Sequence, residues 1–151
     1  PEAIREVYPK YVYAGSYIKP VYFEADSYQA PWTFKTNYAP VVNNTAGSIV
    51  GYKYFNMSKL ANKQTCKMQL RVKPEGVNGT IRLMLGSPWQ SRGGVEIGSF
   101  KLTVDMPQPM TALTTDLNLH GKTGKQALFL LFESAEKGKS LCEIYDFILC
   151  L

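Results

Sequence analysis

The chain has 151 residues, with 17 Lys and Arg against 12 Asp and Glu, and a formal net charge of +5. This length suits one domain with its own core. The 10 Tyr, 7 Phe, 12 Gly and 9 Pro favour short strands and turns over helices. No apolar run is long enough to cross a membrane, and the basic residues are scattered rather than clustered with aromatics. Composition therefore argues against a membrane span and against nucleic acid as a partner.

The first 20 residues are rich in Tyr and Pro and show no clear period. We expect residues 1–20 to be a connector or an edge strand that follows an upstream domain. Because the chain starts at Pro1 without Met, it is expected to be trimmed, and the missing signal peptide is no evidence for the cytoplasm. Residues 21–151 are expected to form a single β domain.

Alternation of apolar and polar residues predicts strands through the rest of the chain. The most regular pattern surrounds a turn-rich loop, so we expect residues 79–104 to form a β-hairpin whose loop carries Trp89. No window has a sustained helical period. About eight strands separated by Gly, Pro and Asn turns predict an all-β fold, a two-sheet antiparallel β-sandwich. The other predicted strands are 21–26, 48–54, 66–73, 111–117, 127–132 and 141–149.

The three cysteines cannot all pair. Cys142 and Cys150 lie on one predicted strand, about 26 Å apart if extended, whereas bridged Cα atoms lie about 4.4–6.8 Å apart. Cys66 could meet either of them. We favour the interpretation that all three are small apolar side chains in or near a core.

The sequence offers few residues in patterns that are typical of a catalytic site. His120 is the only histidine, and it lies beside Gly121 in a predicted turn without a Ser or Cys motif, so we interpret it as a surface residue. No phosphate loop, dinucleotide-binding glycine pattern or cysteine–histidine metal spacing is present. A glycosidase would need two carboxylates flanking a sugar, and the chain is small for such an enzyme. The residues therefore give little support for an enzyme, and an autonomous small glycosidase stays as a third hypothesis.

Glu24 and Asp26 are two residues apart on a predicted strand, so both side chains leave the same face. Two carboxylates this close are unfavourable unless a proton, a basic side chain or a hard cation intervenes. A structural calcium ion bound by Glu24 and Asp26 is one explanation. Exposure of both residues at a solvated sheet edge is the other, and the spacing leaves both open.

Large aromatic side chains lie in or beside the predicted loops, where burial in a core is less expected than on a strand. A sugar ring presents flat faces that an aromatic plane can cover, while Asn, Glu and Lys bond its hydroxyl groups. Aromatics at these positions can equally plug the ends of a sandwich. The residues concerned are Tyr28, Trp32, Phe34, Tyr38 and Trp89.

Five segments in this order resemble family 6 carbohydrate-binding modules, as appended to bacterial family 43 glycoside hydrolases. The likeness covers roughly residues 21–149. The segments are the Phe-Glu-Ala-Asp strand at 23–26, the glycine-aromatic strand at 49–56, the hairpin at 79–104, the Gly-x-x-x-Leu-x-Leu-x-Phe strand at 124–132 and the closing strand at 144–149.

The resemblance implies a jelly-roll β-sandwich that binds sugar without catalysis. Its expected target is a plant cell-wall polysaccharide of the xylan or arabinoxylan type, bound for an attached upstream glycoside hydrolase domain, with a secreted, periplasmic or cell-surface location. The family's main cleft uses an aromatic after the second-strand glycine, which is best matched here by Tyr52 with Tyr38 as a neighbour. Glu143 and Trp32 complete the expected sugar site, and Glu24 with Asp26 keep family positions for calcium.

Two departures from the family pattern matter. The family's second aromatic platform, a Trp after the outgoing hairpin strand, has no counterpart in residues 106–111. Glu143 replaces the usual Asn near the closing strand, and Tyr145 replaces the usual Asp. The alternative is therefore a structural accessory domain that packs on the hydrolase and binds little sugar itself. Trp89 is expected to face away from the family's cleft, as a second sugar site or a domain contact.

Overall fold

A computed structural model of the chain describes residues 5–6, 11–15, 20–23, 40–61 and 66–150. In these ranges the chain forms ten strands, one short helix and one 3-10 turn. They are β1 (Arg5–Glu6), β2 (Tyr11–Gly15), β3 (Pro20–Phe23), β4 (Ile49–Asn56), α1 (Ser58–Ala61), β5 (Lys67–Pro74), β6 (Gly79–Leu85), the 3-10 turn (Gln90–Arg92), β7 (Val95–Leu102), β8 (Thr111–Asp116), β9 (Lys125–Glu133) and β10 (Cys142–Cys150).

The strands form two five-stranded sheets. Sheet A has the order β1-β4-β9-β6-β7, and sheet B has the order β3-β2-β10-β5-β8. Every pairing between these strands is antiparallel except that of β1 with β4, which is parallel. The prediction of a two-sheet, essentially antiparallel β-sandwich is confirmed. No helix in the described ranges is both long and apolar enough to cross a membrane.

The core lies between the two sheets and is built by the alternation read from the sequence. In β5, Met68, Leu70 and Val72 are fully buried, while the residues between them are partly exposed or exposed. Such a pattern places one strand face against the other sheet and the other face toward solvent. The largest fully buried rings are Phe55, Phe132 and Phe147.

The predicted hairpin at 79–104 is confirmed as β6 and β7. The two strands pair from Gly79 opposite Leu102 to Leu85 opposite Val95. The register shifts between Leu83 and Met84, so a β-bulge lies near the loop end of the hairpin. The hairpin thereby presents the Trp89 loop at one end of sheet A.

Two buried polar side chains join elements that are distant in sequence. Asn44 donates from Nδ2 to the carbonyls of Val41 and Cys142, at 2.8 and 2.9 Å, and so fixes the chain entering β4 onto β10. Asp146, which is 1% exposed, accepts two hydrogen bonds from Arg71, one of them from Nε at 2.5 Å. This bidentate pair joins β10 to β5 on the outer face of sheet B.

The N-terminal part supplies strands to both sheets. The segment expected to be a connector or edge strand contributes β1 at the edge of sheet A and β2 inside sheet B. The first strand of the predicted domain, expected at 21–26, is described over Pro20–Phe23. Residues 24–39 lie outside the described ranges. Helix α1 was not predicted, because four residues are too few to show a helical period.

Cys66 and Cys142 are both buried in the core cluster, at 4% and 0% exposure, which confirms the interpretation of these two as small core side chains. Burial, together with the nearby charges of Glu75 and Glu143, raises the pKa of the Cys142 thiol to about 12. The thiol is therefore a packed, protonated group at neutral pH.

Candidate functional site

The outer face of sheet A carries the most distinctive group of side chains. Ile81 and Leu83 of β6 point into the core and are fully buried, so Arg82 between them points outward. On that face Arg82 lies opposite Leu131 of β9, and Met84 lies between Phe129 of β9 and Glu96 of β7. Strand register therefore places charged and apolar side chains from three strands next to each other.

A groove with a volume of about 760 Å³ lies on this face, beside the 86–94 loop. We call it the Trp89 groove. Its apolar floor includes Met84 and Leu131, and Trp89 and His120 stand beside it with Arg82 and Glu96. A concave site with a flat aromatic, an apolar floor and a few fixed polar groups has the usual composition of a small-ligand site.

Trp89 is 51% exposed, yet its loop is tightly held. Its carbonyl accepts hydrogen bonds from the N–H groups of Arg92 and Gly94, both at 3.0 Å, and its own N–H donates to Ser87 Oγ at 3.1 Å. A Cβ at Gly94 would overlap the backbone of Ser87 and Trp89, so glycine is required for the loop to close. The Arg92 guanidinium lies 5.6 Å from the indole centroid, a cation–π contact that further limits the motion of the ring.

Arg82 lies between two carboxylates. It donates from Nε to Glu96 Oε1 at 2.5 Å and from Nη1 to Glu133 Oε1 at 2.8 Å. These hydrogen bonds, that to Glu133 first, raise the pKa of the Arg82 guanidinium above its usual value. All three side chains are partly exposed, so the cluster is a solvated and pre-oriented polar group. Arg82 and Glu96 line the groove, and Glu133 lies outside its lining, next to Arg82.

His120 faces the same groove from the turn before β9. Its backbone has a positive φ of 52°, and its N–H donates to Asn118 Oδ1 at 3.0 Å. Asn118 in turn donates its N–H to the carbonyl of Ile97 at 2.8 Å. The His120 Nε2 atom lies 2.9 Å from the Glu96 carbonyl oxygen, which can only accept, so Nε2 carries the proton. The ring is thus fixed in both position and tautomer.

The described residues predicted to bind sugar do not lie together. Tyr52 is 6% exposed, and its ring packs against Phe147 with the centroids 5.0 Å apart and the planes at 80°. This burial argues against a sugar-stacking role for Tyr52. Glu143 lies on β10 in the other sheet, where it stands opposite Lys73 of β5 in the strand register. Its carboxylate accepts a hydrogen bond from the Tyr145 hydroxyl at 3.0 Å.

Four other predicted residues lie outside the described ranges: Trp32 and Tyr38 of the sugar site, and Glu24 and Asp26 of the calcium site. Within the described ranges, no group of three or more His, Cys, Asp or Glu residues is arranged to hold a metal ion. Among the described residues that were predicted to bind sugar, Trp89 is the one that lines this groove. The sequence missed Arg82, Glu96, Glu133 and His120, because their proximity comes from strand register and not from spacing.

A larger and more open hollow, of about 1020 Å³, lies at the opposite end of sheet A. Asn78 ties its surrounding turns together. Its N–H donates to Glu136 at 3.0 Å, its side-chain oxygen accepts from the Val104 N–H at 2.8 Å, and its carbonyl accepts from the Ser134 hydroxyl at 2.6 Å. The one aromatic among the described residues of this hollow, Phe132, is fully buried, so the hollow lacks an exposed ring.

Solved structures with the same fold include carbohydrate-binding modules. The chain matches a family 43 arabinoxylan arabinofuranohydrolase from Bacillus subtilis, in complex with cellotetraose, over 97% of its own length, with 15% identity and a TM-score of 0.64. It spans 28% of that enzyme. A β-1,3-glucan-binding family 6 module from Bacillus halodurans matches with 14% identity and a TM-score of 0.62, over 99% of this chain and 100% of the module.

A third match is a family 6 module from Clostridium cellulolyticum in complex with xylose, with 17% identity and a TM-score of 0.57, over 95% of this chain and 97% of the module. A scan against protein-family models and a search of curated proteins both found no match. At these identities the likeness establishes the fold. The resemblance to family 6 modules inferred from the sequence is confirmed at that level.

Proposed function

We propose that this chain is a non-catalytic carbohydrate-binding module that binds glycan in the Trp89 groove. The observation that carries the proposal is the half-exposed Trp89 indole, held by backbone hydrogen bonds beside a groove with an apolar floor. Similarity to the fold of carbohydrate-binding modules supports the same role.

Each part of the groove has a counterpart on a sugar. The indole face of Trp89 and the half-buried Leu131 can cover the C–H faces of pyranose rings, and the buried Met84 packs beneath them. The carboxylates of Glu96 and Glu133 can accept hydrogen bonds from hydroxyl groups, since each retains an oxygen that is not bonded to Arg82. Because the loop and the polar cluster are already held in place, little ordering cost is left for binding.

The same cluster argues against glycoside hydrolysis in this groove. A glycosidase requires two carboxyl groups that divide the work of acid and of base or nucleophile across the scissile bond. Glu96 and Glu133 are instead hydrogen-bonded to one guanidinium. They are therefore arranged as a shared hydrogen-bonding surface and not as an independent pair.

The finer assignments are also proposals. We propose xylan or arabinoxylan as the target and an attached glycoside hydrolase as the partner, supported by the family 43 enzyme that contains a region of this fold. A secreted, periplasmic or cell-surface location follows from that role. Structural calcium at Glu24 and Asp26 remains a prediction from the sequence.

The test measures binding to xylan, arabinoxylan and β-1,3-glucan by affinity electrophoresis, and to their oligosaccharides by calorimetry. We expect Trp89→Ala to weaken binding at least tenfold, because burial of an aromatic face contributes about 1.5–3 kcal/mol. Met110→Ala is the matched control, since Met110 is also an exposed large apolar residue but lies before β8 and does not line the groove. Equal binding by wild type and Trp89→Ala would contradict the proposed site.

The second candidate is a structural accessory domain that packs on its hydrolase with little sugar binding. Three exposed apolar side chains favour it: Val42, Val104 and Met110 lie in loops at the end of the sandwich away from Trp89. In the full-length protein, this role predicts that Val104→Ser with Met110→Ser lowers the stability of the hydrolase domain without any sugar present. An unchanged unfolding temperature of that domain would rule against it.

A further inference from the structure

Of the described residues that line the Trp89 groove, Arg82 is the only Lys or Arg; Arg92 contacts the Trp89 ring but does not line the groove. The Arg82 guanidinium is the natural partner for an anionic sugar, because a planar guanidinium binds a carboxylate through two parallel N–H donors. Whether the groove takes charged or uncharged glycans therefore depends on what already occupies Arg82.

Two of the five N–H groups of the Arg82 guanidinium already donate to carboxylates. Its Nε donates to Glu96 and its Nη1 donates to Glu133, two carboxylates that come from different strands. One positive charge thus stands against two negative charges on this part of the face. The carboxylate of a uronic acid that approached the remaining N–H groups would be repelled by both glutamates.

Resting on the carbohydrate-binding function proposed above, we infer that Arg82, clamped by Glu96 and Glu133, determines specificity in the Trp89 groove. The clamp admits uncharged sugars, whose hydroxyl groups donate to the carboxylate oxygens, and rejects sugars that carry a carboxylate. Glu96 and Glu133 repel a sugar that carries a carboxylate, and they also accept hydrogen bonds from the hydroxyl groups of an uncharged sugar. Removing both negative charges would free the guanidinium and reverse the preference.

The experiment compares tetragalacturonate with xylotetraose by calorimetry. Salt is kept at about 0.15 M, where charges farther apart than about 8 Å are screened, so that the net charge of +5 does not attract the anion by itself. Wild type should bind the neutral sugar and give no measurable heat with the uronate. The variant Glu96→Gln with Glu133→Gln should gain uronate affinity at least tenfold, and adding Arg82→Gln should abolish that gain.

The matched control is Asp105→Asn with Asp116→Asn, which makes the same change in net charge at two exposed carboxylates away from the groove. It should gain no uronate binding. Thermal unfolding of each variant confirms that it is folded, as expected for changes at partly exposed side chains.

The inference is overturned if wild type binds tetragalacturonate as tightly as xylotetraose, if the Glu96→Gln, Glu133→Gln variant gains nothing, or if the control gains as much. Failure of the proposed function has a different signature. If wild type and Trp89→Ala both bind neither sugar, the proposed function and this inference fall together. Uronate binding by wild type that Trp89→Ala removes would overturn the inference alone.

Discussion

Replacing Tyr52 separates a core role from a sugar-binding role. The side chain is 6% exposed and packs edge-on against Phe147 between the sheets. An aromatic side chain buries about 200 Å², which at about 25 cal/mol/Å² corresponds to about 5 kcal/mol. Measured aromatic-to-alanine changes cost about 3–5 kcal/mol. We therefore expect Tyr52→Ala to lower the free energy of unfolding by about 3–5 kcal/mol, a large part of the stability of a domain this size.

Urea unfolding followed by tryptophan fluorescence measures this cost, and calorimetry with xylo-oligosaccharides measures binding. Tyr52→Leu supplies a variant that keeps apolar volume, so it should remain folded and bind sugar like wild type. A double-mutant cycle with Phe147→Leu should give a coupling of about 0.5–1.5 kcal/mol for the ring pair. If Tyr52→Leu loses sugar affinity tenfold while its stability is unchanged, the core assignment is refuted and the sequence-based role is restored.

Two further predictions concern the other sheet and the unassigned carboxylates. Arg71→Met removes the bidentate partner of the Asp146 carboxylate, a residue that is 1% exposed. We therefore expect it to lower the free energy of unfolding, measured in urea, by about 3–5 kcal/mol. A loss under about 1 kcal/mol would show that Asp146 does not depend on Arg71. If Glu24 and Asp26 bind calcium, a chelator should lower the unfolding temperature of wild type but not that of the variant Glu24→Gln with Asp26→Asn. Equal unfolding temperatures of wild type with and without the chelator would count against that calcium site.

The sheets could be predicted because their signal is local. Each strand of an antiparallel sandwich that has one wet face alternates with a period of two, and 66–73 shows this cleanly in its lysines and buried aliphatics. Glycine, proline and asparagine between the runs then divide the chain into strands. The short elements could not be predicted, because β1 has two residues and α1 has four, which is too few to establish any period.

The burial of Tyr52 could not be predicted, because both faces of β4 carry large apolar or aromatic side chains and alternation alone cannot say which face is buried. Pairing decides it: Tyr52 lies opposite the fully buried Leu128, and Gly51 lies opposite the outward-facing Phe129. A Cβ at Gly51 would come within 3.0 Å of the Phe129 ring. The glycine that led us to expect an exposed aromatic next to it instead makes room for an aromatic of the neighbouring strand.

Of this groove, only Trp89 could be predicted from the sequence. Because its polar residues could not be predicted, the sequence favoured Tyr52 as the main sugar site and Trp89 only as a second one. Trp89 could be identified from the sequence, because an aromatic among turn residues with no core position is a local feature. Its polar partners were not visible, because Arg82 is 14 residues from Glu96 and 51 from Glu133. Their contact depends on the register of three strands, and a slip of one residue would turn Arg82 into the core. The features that give this groove its proposed specificity therefore arise only once sheet A is assembled.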